Sequence, residues 1–226
     1  MMGAMDTNLI ALVLSFAFLA VVIGASLFAR HRWNLAGESM RKIIHIGVSN
    51  WWFILLFGFD RLAFAVVGPI LFIIVNLIFV LGNWAVRLGF GSQERNWGLV
   101  YYPLILLLFV LCHYQGFLHP LSTTVAVLVM GYGDGLAALI GTKWGVREIP
   151  FQLSKKSYLG SITMWTTATV IIALGLLCYG TFSTAAALII AVLFGAIITA
   201  VEVITPFGLD NITVPMVAAL LMELLV

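Results

Sequence analysis

The sequence predicts an all-α fold, a polytopic bundle of about seven or eight membrane-spanning helices. Hydrophobic residues make up 63% of the 226-residue chain, and charged residues make up only 9%. Soluble domains contain about 25% charged residues, and the mean hydropathy of this chain is +1.15. Because each span needs about 20 residues, the length leaves little room for a soluble domain. We therefore expect residues 1–226 to form a single integral membrane domain.

The predicted spans follow one another without a linker or an internal repeat. They are apolar windows at residues 9–29, 42–57, 62–82, 99–112, 121–141, 158–179, 184–204 and 212–225. The first window is too long for the apolar core of a signal peptide and no positive charge precedes it, so we expect a retained span. The fourth and eighth windows are short, which leaves the predicted number at seven or eight.

Basic residues predict the orientation of these spans, because cytoplasmic loops carry an excess of lysine and arginine. If the N-terminus lies outside, every lysine and arginine except Arg61 reaches the cytoplasmic side. Those residues are Arg30, Arg32, Arg41, Lys42, Arg87, Arg95, Lys143, Arg147, Lys155 and Lys156. An even number of spans then places both termini on the non-cytoplasmic side, and the polar clusters described below converge at the cytoplasmic face.

Carboxylates lie within or next to apolar windows. Asp134 interrupts the glycine-rich run 130–138, and Glu202 lies inside the seventh window. An ionisable group at membrane depth costs about 3 kcal/mol and by default marks a functional site. Because carboxylates bind divalent cations, we predict Asp134, Glu202 and Asp210 as metal ligands, the first two also as catalytic residues. The structural alternatives are a hydrogen bond between helices for Asp134 and a helix N-cap for Asp210 or Asn211.

Glycines flank the intramembrane carboxylate. Gly133 and Gly135 permit close backbone approach or a local break in the helix. Such breaks survive at membrane depth only where they are buried in protein or line a cavity. We predict both glycines, together with Asn211, at a nucleotide- or phosphate-binding site. The alternative for the glycines is close packing of helices.

A basic, hydroxyl-rich stretch precedes the sixth window. Lys155, Lys156, Ser157 and Gly160 lie where a helix is expected to begin, at about Ser157. The N-terminus of a helix offers free N–H groups and a positive dipole to a phosphate. We predict these residues and Lys143 as phosphate-binding, with Lys156 also catalytic. For Lys143 the alternative is an ordinary basic cytoplasmic loop.

Another polar cluster stands at the entrance of the second window. Arg41, His45 and Ser49 share one helical face. Arg41 and Lys42 are predicted to meet anionic phosphates, and His45, one turn into the membrane, is a predicted catalytic residue. The alternatives are a juxtamembrane anchor in which Glu38 pairs with Arg41 or Lys42, and a hydrogen bond from His45 to a neighbouring helix.

Several function classes are disfavoured by the composition. A net charge of +2 without a basic and aromatic patch argues against nucleic-acid binding. Cys112 and Cys178 have no metal-binding spacing. The sequence also lacks the Walker A pattern of P-loop nucleotide-binding proteins.

The polar clusters together resemble the polyprenol kinase family, which includes dolichol, phytol and farnesol kinases. The matching residues, in order, are Arg41-Lys42-x-x-His45, Gly133-Asp134-Gly135-x-Ala137 running on to Gly141, Lys156-Ser157-x-x-Gly160-Ser161, and Glu202 followed by Asp210-Asn211 and Pro215. The phytol kinase branch looks nearest, because it also has Gly-Asp-Gly-x-Ala and ends with Asp-Asn-x-x-Val-Pro. One departure is Thr142-Lys143, where the family would have Gly-Arg or Arg-Arg, so a basic role there rests on Lys143.

The resemblance implies a single catalytic domain that transfers the γ-phosphoryl group of CTP to an isoprenoid alcohol, giving the lipid monophosphate and CDP. It also implies dependence on Mg²⁺ and a fold related to membrane CTP-dependent cytidylyltransferases. Asp134, with Glu202 or Asp210, would hold Mg²⁺ on the triphosphate.

The resemblance further implies roles for the basic residues. Lys155 or Lys156, together with Arg41, would neutralise charge on the transferring phosphoryl group. His45 or a carboxylate would orient or deprotonate the lipid hydroxyl.

Three alternatives remain open from the sequence. A related enzyme could transfer CMP and release pyrophosphate, or could phosphorylate diacylglycerol with CTP. The third alternative is an ion-coupled transporter in which Asp134 and Glu202 form an ion pathway. The sequence also leaves open whether the protein forms a homo-oligomer and which lipid alcohol it uses.

Overall fold

The computed structural model describes residues 6–87, 97–150 and 156–226. These residues are largely helical, and no strand occurs among them, which confirms the all-α prediction. The helices are α1 (Thr7–Trp33), α2 (Gly37–Ser49), α3 (Trp51–Gly58), α4 (Leu62–Ala65), α5 (Val67–Leu81), α6 (Trp84–Arg87), α7 (Gly98–Gln115), α8 (Pro120–Leu128), a π-helical turn (Val129–Asp134), α9 (Gly135–Trp144), α10 (Tyr158–Tyr179), α11 (Thr184–Ile204) and α12 (Asp210–Glu223).

The chain divides into two compact units, Met1–Phe117 and Leu118–Val226. We call them the N-terminal unit and the C-terminal unit. The expectation of a single catalytic domain stays a prediction.

Among the described residues, six helical segments are long and apolar enough to cross a membrane, which supports an integral membrane protein. They are Thr7–Trp33, Leu62–Leu81, Gly98–Gln115, Pro120–Trp144, Tyr158–Tyr179 and Thr184–Ile204. The two other predicted windows form shorter helices, the second as α2 and α3 and the eighth as α12. The orientation of the termini stays a prediction.

In the N-terminal unit, α1 packs against α2 and α3, and α5 packs against α7. The Asp6 side chain caps α1 by accepting a hydrogen bond from the backbone N–H of Asn8 at 2.9 Å. Inside the unit, the Trp51 indole donates to the Ser15 hydroxyl at 2.8 Å, which satisfies two polar groups in apolar surroundings. This bond fixes α3 against α1.

The second predicted window begins earlier than expected and is divided. Its helix starts at Gly37, five residues before the predicted start at Lys42, because the polar first turn is helical as well as the apolar part. Met40, in that first turn, is 2% exposed and anchors it to the unit. Asn50 then separates α2 from α3, and its side-chain amide donates to the carbonyl oxygen of Ile46 at 3.0 Å.

In the C-terminal unit, α10 packs against both α9 and α11, and α8 packs against α12. Close approach of α9 and α10 depends on glycine, since a Cβ added at Gly160 would lie 3.0 Å from the carbonyl oxygen of Ala137. Ser157 caps α10, accepting a hydrogen bond from the backbone N–H of Gly160 at 3.1 Å. This confirms the predicted helix start at about Ser157.

The long segment Pro120–Trp144 is continuous but changes its helical pattern at the glycine-rich run. Its α-helical pattern gives way to a π-helical turn over Val129–Asp134, and Asp134 is the last residue of that turn. A Cβ at Gly133 would lie 2.7 Å from the Sδ atom of Met164 on α10. Single π-helical turns inside α-helices frequently occur at functional sites.

Candidate active site

Three carboxylates from three different elements meet in the C-terminal unit. Asp134 ends the π-helical turn, Glu202 lies in the last turn of α11, and Asp210 is the first residue of α12. Oxygen atoms of the three side chains lie within 4.8 Å of one another. Asp134 and Glu202 are only 5% and 6% exposed. The structure thus brings together the three residues that the sequence predicted as metal ligands.

Lys156 joins this acidic cluster from the segment just before α10. Its Nζ atom lies 2.7 Å from Oε1 of Glu202 and 3.3 Å from Oδ2 of Asp210. It also donates to the backbone carbonyl oxygen of Glu202. Three carboxylates and one ammonium group carry two formal negative charges in total, which one divalent cation would balance.

The ammonium group of Lys156 remains protonated in this environment. Burial by itself lowers the pKa of Lys156, but the carboxylates of Asp210 and Glu202, with a smaller contribution from Asp134, raise it by more. The pKa of Lys156 therefore lies above its usual value, and the side chain is a fixed positive charge at neutral pH.

The acidic cluster fits a magnesium ion by the chemistry of its donors. Mg²⁺ prefers oxygen ligands and is usually bound by one or two carboxylates together with substrate phosphates. Asp134, Glu202 and Asp210 could hold it, with Lys156 sharing the latter two carboxylates.

Asn211 supplies one more buried oxygen at this place. Its side chain donates to the carbonyl oxygen of Gly208 at 2.9 Å and to Oδ1 of Asp210 at 3.1 Å. Within the described part of the chain, no donor reaches its own Oδ1 atom, which is buried. A buried acceptor normally has a hydrogen-bond partner, and this oxygen lies in the residue directly after Asp210.

The predicted capping role of Asp210 and Asn211 is not observed. Leu209 occupies the N-cap position of α12 and makes no side-chain capping bond. Asp210 is already helical, and its side chain faces Lys156 and Asn211 instead. A role as helix N-cap therefore does not explain the Asp210 carboxylate.

The other predicted phosphate-binding residues of this unit have separate positions. Ser157 uses its hydroxyl to cap α10, and Gly160 lies in the tight contact with α9. Gly135 begins α9 directly after Asp134. Lys143 is exposed, with Nζ 4.6 Å from the centre of the Trp144 ring, and no carboxylate in the described residues pairs with it. Their predicted roles stay predictions, and Lys155 lies outside the described residues.

Arg41, Lys42 and His45 belong to α2 in the N-terminal unit. Nη2 of Arg41 lies 2.5 Å from Oε1 of Glu38, so the ion pair expected under the alternative reading is present. Lys42 is 5% exposed and His45 is 8% exposed. Their roles in phosphate binding and catalysis stay predictions.

Tyr102 is a polar neighbour of His45 that sequence reasoning missed. Its ring centre lies 3.9 Å from that of His45, and its hydroxyl donates to the His45 backbone carbonyl oxygen at 3.1 Å. A tyrosine in the interior of the apolar helix α7, next to Pro103, was the available signal.

Comparison with known proteins gives the family. The chain is 31% identical over 212 residues to a phytol kinase of Synechocystis sp., covering 89% of this chain and 85% of that protein. It is 32% identical over 204 residues to a probable chloroplastic phytol kinase of Triticum aestivum, covering 82% of this chain and 66% of that protein. No family model and no solved structure matches. The kinase prediction and the proximity to the phytol kinase branch are thus confirmed: the chain belongs to the phytol kinase family.

Proposed function

We propose that this protein is a membrane-embedded lipid-alcohol kinase that transfers the γ-phosphoryl group of CTP to an isoprenoid alcohol such as phytol or farnesol. The products are the lipid monophosphate and CDP. The observation that carries the proposal is the cluster of three carboxylates around Lys156, in a chain that belongs to the phytol kinase family. CTP as the donor follows from the resemblance to polyprenol kinases.

Asp134, Glu202 and Asp210 hold Mg²⁺ on the triphosphate in this proposal. When bound, Mg²⁺ neutralises and orients the phosphate oxygens. Asn211 adds its unpaired carbonyl oxygen to the same region. The buried position of Asp134 and Glu202 strengthens their electrostatic interactions with bound charges, because water screens them less than it would at the surface.

Lys156 acts on the transferring group. The oxygen of the lipid hydroxyl forms a bond to the γ-phosphorus while the bond from that phosphorus to the β–γ bridging oxygen breaks, which leaves CDP. The positive charge of Lys156 stabilises the negative charge on the phosphoryl oxygens. The hydroxyl proton passes to His45 or to a carboxylate of the cluster.

The reaction takes place at the cytoplasmic face of the membrane in this proposal, with both termini on the opposite side. The support is the distribution of basic residues, of which only Arg61 falls outside. The isoprenoid alcohol reaches the protein from the bilayer, and CTP reaches it from the cytoplasm.

Analysis of the nucleotide products tests this function. Purified protein in detergent would receive Mg²⁺, labelled CTP or ATP, and phytol, farnesol, undecaprenol, diacylglycerol or phosphatidate in separate reactions. We expect CDP and a lipid monophosphate with an isoprenoid alcohol, and much slower turnover with ATP. Release of pyrophosphate and a CDP-lipid would identify a cytidylyltransferase instead. CDP formation with diacylglycerol alone would identify a diacylglycerol kinase, and no turnover at all would favour the transporter.

A further inference from the structure

The N-terminal unit contains a cavity of about 330 Å³ bounded by α1, α2, α3, α5 and α7. Its walls are mainly apolar, and they include Leu19, Val48, Phe72, Val75 and Leu106. Pockets that hold small molecules have volumes of about 300–1,000 Å³. The cavity is therefore large enough for a small apolar ligand.

Two polar groups that line the cavity are already satisfied within the protein. The Asn76 amide donates to the carbonyl oxygen of Leu99 at 2.7 Å, and the Trp51 indole donates to Ser15. Neither side chain therefore needs a hydrogen bond from a ligand in the cavity.

The situation differs at Arg41, which lies one turn from His45 on α2; both residues line the cavity. Arg41 is 9% exposed, and its Nε atom is buried without a hydrogen-bond partner among the described residues. A buried donor of this kind normally meets an acceptor. The cavity thus has the polar side chains of Arg41 and His45 in its α2 wall, and apolar walls elsewhere that suit a hydrocarbon chain.

We propose that this cavity binds the acceptor lipid, with the isoprenoid chain along the apolar walls and the oxygen of its head group at Arg41 and His45. The inference rests on the proposed lipid-alcohol kinase function for the identity of the ligand. It adds a lipid-binding site within the N-terminal unit, with a volume that suits a phytyl or farnesyl chain.

Photolabelling tests the site without any turnover. The full-length protein in nanodiscs would be illuminated with a diazirine analogue of farnesol in the absence of nucleotide, and labelled residues would be mapped by mass spectrometry. We expect labels on cavity-lining residues of α2, α5 and α7 that disappear with excess phytol and persist with excess diacylglycerol. Labelling confined to other surfaces, or cavity labels that phytol does not displace, would overturn the proposal in favour of bilayer lipid.

A matched pair of variants on α5 tests the effect on catalysis. Val75 and Ile74 are adjacent and similarly exposed, at 41% and 50%, but only Val75 lines the cavity. We expect Val75→Trp to raise the KM for phytol at least tenfold with the KM for CTP unchanged, and Ile74→Trp to change either value less than twofold. Equal effects of the two substitutions would refute the cavity as the lipid site. If the wild-type protein turned over no nucleotide, the proposed function would be refuted. The photolabelling would still show whether the cavity binds the lipid.

Discussion

The two units keep ionisable groups in apolar surroundings in different ways. In the N-terminal unit, Arg41 pairs with Glu38, three residues away on the same helix. In the C-terminal unit, Lys156 meets Glu202 and Asp210, which are 46 and 54 positions away in the chain. The first pair needs only one helix, whereas the second needs α10, α11 and α12 to be packed correctly. The acidic cluster therefore depends on the packing of several helices. Binding of a cation would be a functional reason for the protein to maintain this cluster.

The two units also differ in the sign of the charge at their candidate binding sites. The acidic cluster carries an excess of negative charge and suits a metal ion, whereas Arg41 in the N-terminal unit is a basic residue that lines an apolar cavity. We infer a division of labour in which the C-terminal unit handles the nucleotide and its metal, and the N-terminal unit handles the lipid. Substitutions in the two units should therefore change different kinetic constants.

The largest effect is expected for Asp134→Asn, which keeps the shape of the side chain and removes its charge. We expect kcat to fall by at least about 100-fold, because a buried ligand of the metal and phosphate region is lost. The measurement is CDP formation at saturating phytol and increasing Mg²⁺. Glu223→Gln is a matched control in the same unit, since the Glu223 carboxylate accepts from the backbone N–H of His119 away from the acidic cluster. Full turnover by the Asp134 variant would remove this carboxylate from the mechanism.

The next effect is expected for Lys156→Met, which leaves the three carboxylates of the acidic cluster without their ammonium group. Removing one partner of a buried ion pair costs about 3–5 kcal/mol, so the melting temperature in EDTA should fall. Added Mg²⁺ should restore stability more strongly in this variant than in the wild type, because the cation replaces the missing charge.

Thermal unfolding with and without Mg²⁺ measures the stability effect, and CDP formation measures the accompanying loss of activity. Lys143→Met provides the comparison, because Lys143 is exposed and stacks on Trp144. It should lose less activity and show no change in its response to Mg²⁺. Equal stabilisation of both variants by Mg²⁺ would contradict cation binding at the acidic cluster.

A smaller effect is expected in the N-terminal unit for Tyr102→Phe. This substitution keeps the ring against His45 and removes one hydrogen bond to its backbone carbonyl, which is worth about 0.5–1.5 kcal/mol. We expect a change of up to about tenfold in the KM for the lipid and no change in the KM for CTP. His45→Phe, which removes the imidazole itself, should cost more in kcat if His45 accepts the hydroxyl proton. A changed KM for CTP in the Tyr102 variant would argue against the division between the units.

Much of the fold could be predicted because it depends on local signals. Hydropathy and length located six long helical segments, and the serine at position 157 marked the start of α10. The break of the second window at Asn50 was missed because a single asparagine changes a hydropathy average very little. The early start at Gly37 was missed for a related reason, since charged residues lower the average even where they are helical.

The acidic cluster could be predicted in composition but not in geometry. Asp134 and Glu202 stood out because a carboxylate in an apolar segment is costly. The pairing of Lys156 with Glu202 and Asp210 follows from the packing of helices distant in sequence, which no local pattern contains. The cavity of the N-terminal unit was missed because its lining consists mainly of ordinary apolar side chains from several helices.

The smallest effects concern stability alone and compare one glycine from each unit. Alanine in a helix is favoured over glycine by about 0.5–1 kcal/mol when there is room for its methyl group. No atom lies within 4 Å of a Cβ built at Gly24 on α1, so Gly24→Ala should raise the melting temperature slightly. A Cβ at Gly160 would lie 3.0 Å from the Ala137 carbonyl oxygen, a backbone atom that cannot rotate away. Overpacking costs about 1–3 kcal/mol, so Gly160→Ala should lower the melting temperature. Thermal unfolding in the same detergent measures whether the two substitutions change the melting temperature in opposite directions. This result tests whether close contact between α9 and α10 fixes the position of Lys156 just before α10. A Gly160 variant as stable as the wild type would show that α10 has room to shift, and the fixed position of Lys156 would need another cause.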